Sequence, residues 1–236
     1  PDGAIERDLV EQGIVTHDQL AHFGESSQAW RDRIYTHAAI DIIRKHQPDL
    51  LLLHLLALDN IEHETGFGND SGRNTIAFLD DRVKDVVDAV RAAGEVDRTT
   101  FIIVSDHGQR SVHQLLHPDV LLKQAGLQEA SASQPSFSVP DDGFALVFQQ
   151  HATKASIKAL KSLFADAPGI RSVLTPTEAA KEGWPVPAQS DQAPDLLLYA
   201  ADGYAFKKGD TGDYVTPTNE IGAHGYPNSD PLMQGI

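Results

Sequence analysis

The chain has 236 residues, 41% of them apolar, enough for one large α/β domain with a substantial buried core. Its 34 Asp and Glu outnumber 19 Lys and Arg, and the resulting formal charge of −15 argues against a nucleic-acid polymer as partner, since a phosphate backbone selects a basic patch or stripe. The absence of cysteine excludes disulfides, thiolate-bound zinc and thiol nucleophiles while leaving the compartment open, and no stretch approaches the roughly 20 apolar residues of a membrane span.

The start, Pro1-Asp2-Gly3-Ala4, carries neither an initiator Met nor a signal-peptide pattern and reads as an internal start. Residues 1–28 are polar and weakly periodic, a surface loop with short helices. Trp30–Lys45 is expected to be a helix with Trp30, Ile34, Ala38 and Ile42 inward, broken by Pro48. Asp49–Leu58, DLLLLHLLAL, reads as a parallel strand covered on both faces, ending at Asp59 with His63 four residues on. Asn74–Ala93 places Ile76, Leu79, Val83, Val86, Val87 and Val90 at helical spacing, with Gly94 as the stop. Phe101–Ser105 reads as a second buried strand running into Asp106-His107-Gly108. Strand, helix, strand makes a βαβ unit, so Asp59 and Asp106 are expected at one sheet edge, where open α/β sheets bind ligands.

Further on, Pro118–Ala125 reads as a short helix stopped by Gly126, residues 128–142 as a loop, Phe144–Phe148 as a strand and Thr153–Ala165 as an amphipathic helix. Ile170–Leu174 leads into Thr175-Pro176-Thr177-Glu178, which has capping-box spacing with Pro at the first helical position. Asp195–Ala200 is a short apolar strand, and Asp202-Gly203 offers a hairpin turn. The terminal Met233-Gln234-Gly235-Ile236 resembles the start of a strand. The expected architecture is one α/β domain over residues 1–236, a mostly parallel sheet flanked by helices on both faces, with an α+β subdomain over 127–218.

Chemistry concentrates at three places. Asp59 with His63, Asp106 with His107, and His224 in Gly222-Ala223-His224-Gly225-Tyr226 are all metal-ligand side chains. Asp59, His63 and His224 would make a three-ligand site with an open position, and Asp106 and His107 would begin a second. Adjacent residues on a regular strand point to opposite faces, so both reach one ion only where the strand ends, as Gly108 permits. Oxygen and nitrogen donors of this kind fit Zn²⁺ best, with Mn²⁺ or Fe as alternatives.

Pro48-Asp49-Leu50 into an apolar run ending Asp59-x-x-x-His63, then Ser105-Asp106-His107-Gly108, then His224-Gly225-Tyr226 with Met233 beyond, resembles the type I phosphodiesterase and nucleotide pyrophosphatase branch of the alkaline phosphatase superfamily over about residues 30–236. The resemblance implies an alkaline-phosphatase-like fold and two divalent ions, Asp59, His63 and His224 on one zinc, Asp106 and His107 on the other. It implies a small phosphate-ester or nucleotide substrate whose phosphodiester or pyrophosphate bond is hydrolysed. It also implies a Thr or Ser nucleophile from an earlier segment, so the chain reads as a C-terminal portion. Relatives acting on phosphomonoesters, phosphonates or sulfate esters, and a non-catalytic metal-binding module, are the alternatives.

Each motif has a plainer competitor. Asp59 could cap a helical turn after its strand. Asp106, His107 and His224 could be ordinary surface residues. His54, inside an apolar run, is expected to be a satisfied core histidine. His113-x-x-x-His117 imitates zinc-protease spacing but has Gln114 where the general base belongs and Pro118 directly after. Gly66-x-Gly68 with Gly72 imitates a dinucleotide fingerprint, but its third glycine is one position late.

Overall fold

A computed structural model describes residues 3–129 and 132–234, and the chain divides into two compact units. The first comprises the chain up to His63 together with Gly68–Ile103. It is helical: α1 (Ala4–Glu11), α2 (His17–Ala21), α3 (Gln28–His46), α4 (Ala57–Thr65) as far as His63, and α5 (Asp70–Ala92). The polar start is more ordered than its composition indicates, because Leu9 and Val15 pack against Ile34 of α3 and Thr16 closes a capping box with Gln19. Ile43 of α3 meets Ala89 and Val90 of α5 in a second cluster. α5 begins four residues before the periodic stretch, since Asn69 Oδ1 accepts the Gly72 amide at 3.0 Å and supplies a cap.

The two apolar runs expected as parallel strands form no ladder among the described residues. Residues 51–56 lie outside any strand, Ala57 opens α4, and Asp59 therefore stands in the first turn of a helix. Residues 101–105 are likewise unpaired, with Ile102 79% and Ile103 65% exposed, and Leu52 in the first run is 83% exposed. His54 is exposed, not buried in a core. A strand exists only where a neighbour completes its hydrogen bonds, and a short apolar run carries no period that reports whether one does.

The second unit comprises Glu64–Phe67 and the chain from Val104 onward. Its elements are β1 (Arg110–Leu116), α6 (Pro118–Gln124), β2 (Ser136–Asp141), β3 (Phe144–Gln149), α7 (Lys154–Ala165), β4 (Ile170–Leu174), α8 (Pro176–Ala179), β5 (Leu196–Ala200), β6 (Tyr204–Phe206) and β7 (Val215–Ala223). One sheet has the order β6-β1-β7, with β1 parallel to β6 and antiparallel to β7; the other is antiparallel throughout, in the order β2-β3-β5-β4. Val112, Leu116, Leu122, Val147, Leu160 and Phe164 are fully or almost fully buried in their shared core.

Three expectations change here. Ser136–Asp141, read as loop because of its Ser and Pro, is a strand whose alternate residues Ser136 and Ser138 face inward. The Asp202-Gly203 turn exists, but β6 after it joins β1 in the other sheet instead of folding back on β5. Met233 and Gln234 lie in a short 3-10 turn, and Gly235 and Ile236 are outside the described residues. Among the described residues, no helix is long and apolar enough to cross a membrane.

Candidate metal centre

In the first unit, α4 carries Asp59 and His63. Four residues apart, they share one helix face, and Asp59 Oδ1 lies 3.4 Å from His63 Nε2 with each side chain about one-third exposed. Leu56, directly before the helix, has no side-chain acceptor to cap it. Asp32 of α3 supplies one, accepting the Leu56 and Ala57 amides on Oδ2. Between the two ligand candidates Glu62 is buried, and that burial raises its pKa against the lowering effect of a hydrogen bond from the Gly68 amide.

In the second unit, β-register brings the other candidates to one end of a strand pair. Arg110 pairs with Ala223, so Asp106-His107-Gly108 before β1 and His224 after β7 leave the ladder on the same side. The imidazoles of His107 and His224 stack with centroids 3.9 Å apart and planes at 23°. His107 Nδ1 is 3.2 Å from the Gly108 carbonyl. A carbonyl only accepts, so this contact puts the proton on Nδ1 and leaves the Nε2 lone pair for a metal. Asp106 Oδ2 lies 3.7 Å from His107 Nε2, and its Oδ1 accepts the His107 amide at 3.1 Å.

Two glycines fit the His224 loop to its surroundings. The Gly143 amide donates to the His224 carbonyl at 2.7 Å, and a Cβ on Gly143 would lie 2.6 Å from that oxygen. Gly225 has φ +78°, and a Cβ there would meet the Phe144 ring at 2.8 Å. The β2–β3 turn also delivers Asp142, whose Oδ2 is 4.0 Å from His224 Nε2. Asp142 was not among the sequence-based candidates, although Asp142-Gly143 between apolar segments is a strong hairpin signal and would have located it.

Arg110 binds the start of β1 to the residues around Tyr226. Its guanidinium reaches Asp230 at 2.6 Å, bonds Asp202, and lies 5.0 Å from the centroid of the Tyr226 ring. Burial works against its charge, yet the two carboxylates hold its pKa above the ordinary value. In the His113-x-x-x-His117 motif, His113 lies within β1 and is exposed, and His117 directly follows the strand, its Nε2 3.0 Å from Thr216 Oγ1.

The donor sets fit divalent metal. Both consist of imidazole nitrogen and carboxylate oxygen, the combination suited to Zn²⁺ and its first-row neighbours; most are partly exposed, and Asp106 is largely exposed.

Comparison with known proteins found a family match and similar solved structures. The description "Type I phosphodiesterase / nucleotide pyrophosphatase" matches residues 8–227. Among solved structures, murine ectonucleotide pyrophosphatase/phosphodiesterase 5 is similar at TM-score 0.61 and 15% identity, over 84% of this chain and 49% of that one. An inactive variant of that protein in complex with AMP is similar at TM-score 0.62 and 15% identity, over 85% and 50%. Phosphonoacetate hydrolase from Sinorhizobium meliloti 1021, in complex with phosphonoformate, is similar at TM-score 0.59 and 14% identity, over 87% and 49%. The chain thus spans about half the length of the solved structures it matches. No curated protein matches it significantly. With 220 of 236 residues inside one family match and an alkaline-phosphatase-like α/β fold, this chain belongs to the type I phosphodiesterase / nucleotide pyrophosphatase family.

Proposed function

We propose that the protein to which this chain belongs is a two-zinc hydrolase of phosphodiester or pyrophosphate bonds, with Asp59, His63, Asp106, His107 and His224 as metal ligands. The observation that carries the proposal is the stacking of His107 on His224, residues 117 apart in sequence, each with a carboxylate near its Nε2. Asp59 and His63, paired on one face of α4, supply a further oxygen and nitrogen. Bound zinc would supply Lewis acidity toward a phosphoryl oxygen and charge neutralisation. The protein's own part is orientation. The Nδ1 contact to Gly108 fixes the tautomer of His107, Gly143 holds the His224 carbonyl, and the α4 register keeps Asp59 and His63 together.

We further infer that the Thr or Ser nucleophile comes from a segment before residue 1. In support, the chain spans only about half the length of similar structures. The substrate is a small phosphate ester or nucleotide, the class to which the AMP in a similar structure belongs. Likeness to phosphonoacetate hydrolase favours phosphonate cleavage as the second reading. Metal analysis after dialysis, with hydrolysis of a nitrophenyl phosphodiester and of phosphonoacetate by the parent protein, tests the metal assignment and the two substrate readings. About two zinc per chain and turnover of the diester are expected. Zero zinc with full activity would sink the metal assignment, and turnover of phosphonoacetate alone would select the second reading.

A further inference from the structure

Asp32 has no part in the ligand set, yet it is fully buried on α3, where an unpaired carboxylate would be costly. The groups that meet its carboxylate are donors. Oδ2 accepts the Leu56 amide at 2.9 Å and the Ala57 amide at 2.7 Å, while Oδ1 accepts from Gln28 Nε2 at 2.8 Å. Its own carbonyl takes the Thr36 hydroxyl at 2.8 Å, which fixes the turn of α3 from which the side chain projects.

The amides it captures are those at the start of α4. Helix N-termini leave amides without intrahelical partners, and a neighbouring Ser, Thr, Asp or Asn side chain usually takes one. Leu56 cannot, and residues 51–56 before it belong to no strand that could hold the backbone. The amide at the head of the helix is therefore held by a carboxylate 24 residues away in sequence. Asp59 is the third residue of α4 and His63 lies one turn later. A helix started one residue early or late would turn each side chain by about 100° about the axis.

We propose that Asp32 is the positioning residue of the Asp59–His63 pair, fixing the start and register of α4 so that both donors face one ion. The inference rests on the assignment of Asp59 and His63 as ligands, made under Proposed function. It also has a consequence in the metal-free chain: the amides of residues 59–63 should owe their protection to Asp32.

The test uses the purified 236-residue chain and three variants. Asp32→Ala should weaken zinc binding tenfold or more, measured by competition with a chromogenic chelator, and should speed amide hydrogen exchange across residues 59–63 without metal. Asp32→Asn keeps an acceptor but loses charge assistance, so it should weaken binding about threefold. Adding Leu56→Asn to Asp32→Ala gives α4 a local cap and should restore affinity to within threefold of the original chain. That rescue would not occur if Asp32 served only general stability. Unchanged zinc affinity and unchanged exchange in folded Asp32→Ala overturn the proposal. If that variant does not fold, Asp32→Asn decides, and affinity and exchange equal to the original chain overturn it. Asp59→Asn separates the two levels. If it leaves zinc binding unchanged, the metal assignment falls, while hydrogen exchange in the Asp32 variants still decides the role of Asp32.

Discussion

The amide of Gly143 and the carbonyl of His224 meet at 2.7 Å, with no room for a methyl group between the two backbones. Gly143→Ala should therefore push the His224 loop away from the β2–β3 turn. Overpacking of this kind costs about 1–3 kcal/mol. The expected result is a lowered melting temperature together with at least tenfold weaker zinc binding. Unchanged zinc affinity would show that His224 is held by something other than this contact.

The stacked imidazoles of His107 and His224 should behave as one unit. His107→Ala and His224→Ala are each expected to weaken zinc binding strongly, and the double variant to lose much less than the sum, because either change already disrupts the pair. Additive losses in a double-mutant cycle would mean that the rings touch without cooperating.

Zinc should stabilise the fold as well as the chemistry. A ligand that binds only the native state adds about 2.7 kcal/mol when present at 100 times its Kd. Melting temperature should rise with added Zn²⁺, fall after chelation, and respond far less in Asp59→Asn. A melting curve indifferent to zinc would contradict the ligand assignment.

Acid should reveal the capping box at α8. A hydrogen bond from Lys161, followed by those from the Thr175 amide and hydroxyl, lowers the pKa of Glu178 from 4.5 to about 2. A depressed carboxylate stabilises the folded state fully above its unfolded pKa and loses that contribution as pH falls through the folded value. The stability difference between the original chain and Glu178→Gln should be constant near neutrality and shrink between about 4.5 and about 2. A difference that grew on acidification would refute the sign. Lys161 and Glu178 are substantially exposed, so the difference should also fall with salt.

The unpaired apolar runs give a further expectation. Leu50, Leu52, Ile102 and Ile103 are all exposed, and side chains of this kind favour association. The purified chain should bind a hydrophobic dye and self-associate as concentration rises, and Leu52→Lys with Ile102→Lys should reduce both. Monomeric behaviour without dye binding would mean that these side chains are covered in solution.

The sequence was most legible where the signal was local. The Thr175-x-x-Glu178 box and the helix after Thr153 stand where their spacing predicts them, because caps and amphipathic faces are written within a few residues. The α5 pattern was equally clear, although its start was set by Asn69, outside the periodic stretch. Ligand candidates were readable as residue types in order along the chain. Their grouping was less so, since His107 and His224 come together through the register of β1 on β7, which no local pattern records. Asp32 was wholly hidden for the same reason: its partners are the amides of Leu56 and Ala57, and backbone amides leave no mark on composition. Residues 49–58 were misread because leucine-rich runs suit helix and strand alike, so the change to helix at Ala57 could not be seen.

The turn at Asp202-Gly203 ties the mechanics of the second unit together. Ala200 ends the four-stranded sheet and Tyr204 begins its place in the three-stranded one, and the Gly203 carbonyl accepts the amides of both His113 and Gln114 in β1. Arg110, at the head of the same strand, is bonded to Asp202. With only three residues between the sheets there is little slack, so a shift in either one is transmitted through β1 to its antiparallel neighbour β7, which ends one residue before His224. The two sheets act as a linkage, and strain applied far out on the four-stranded sheet would be felt as a change in the aim of a single imidazole.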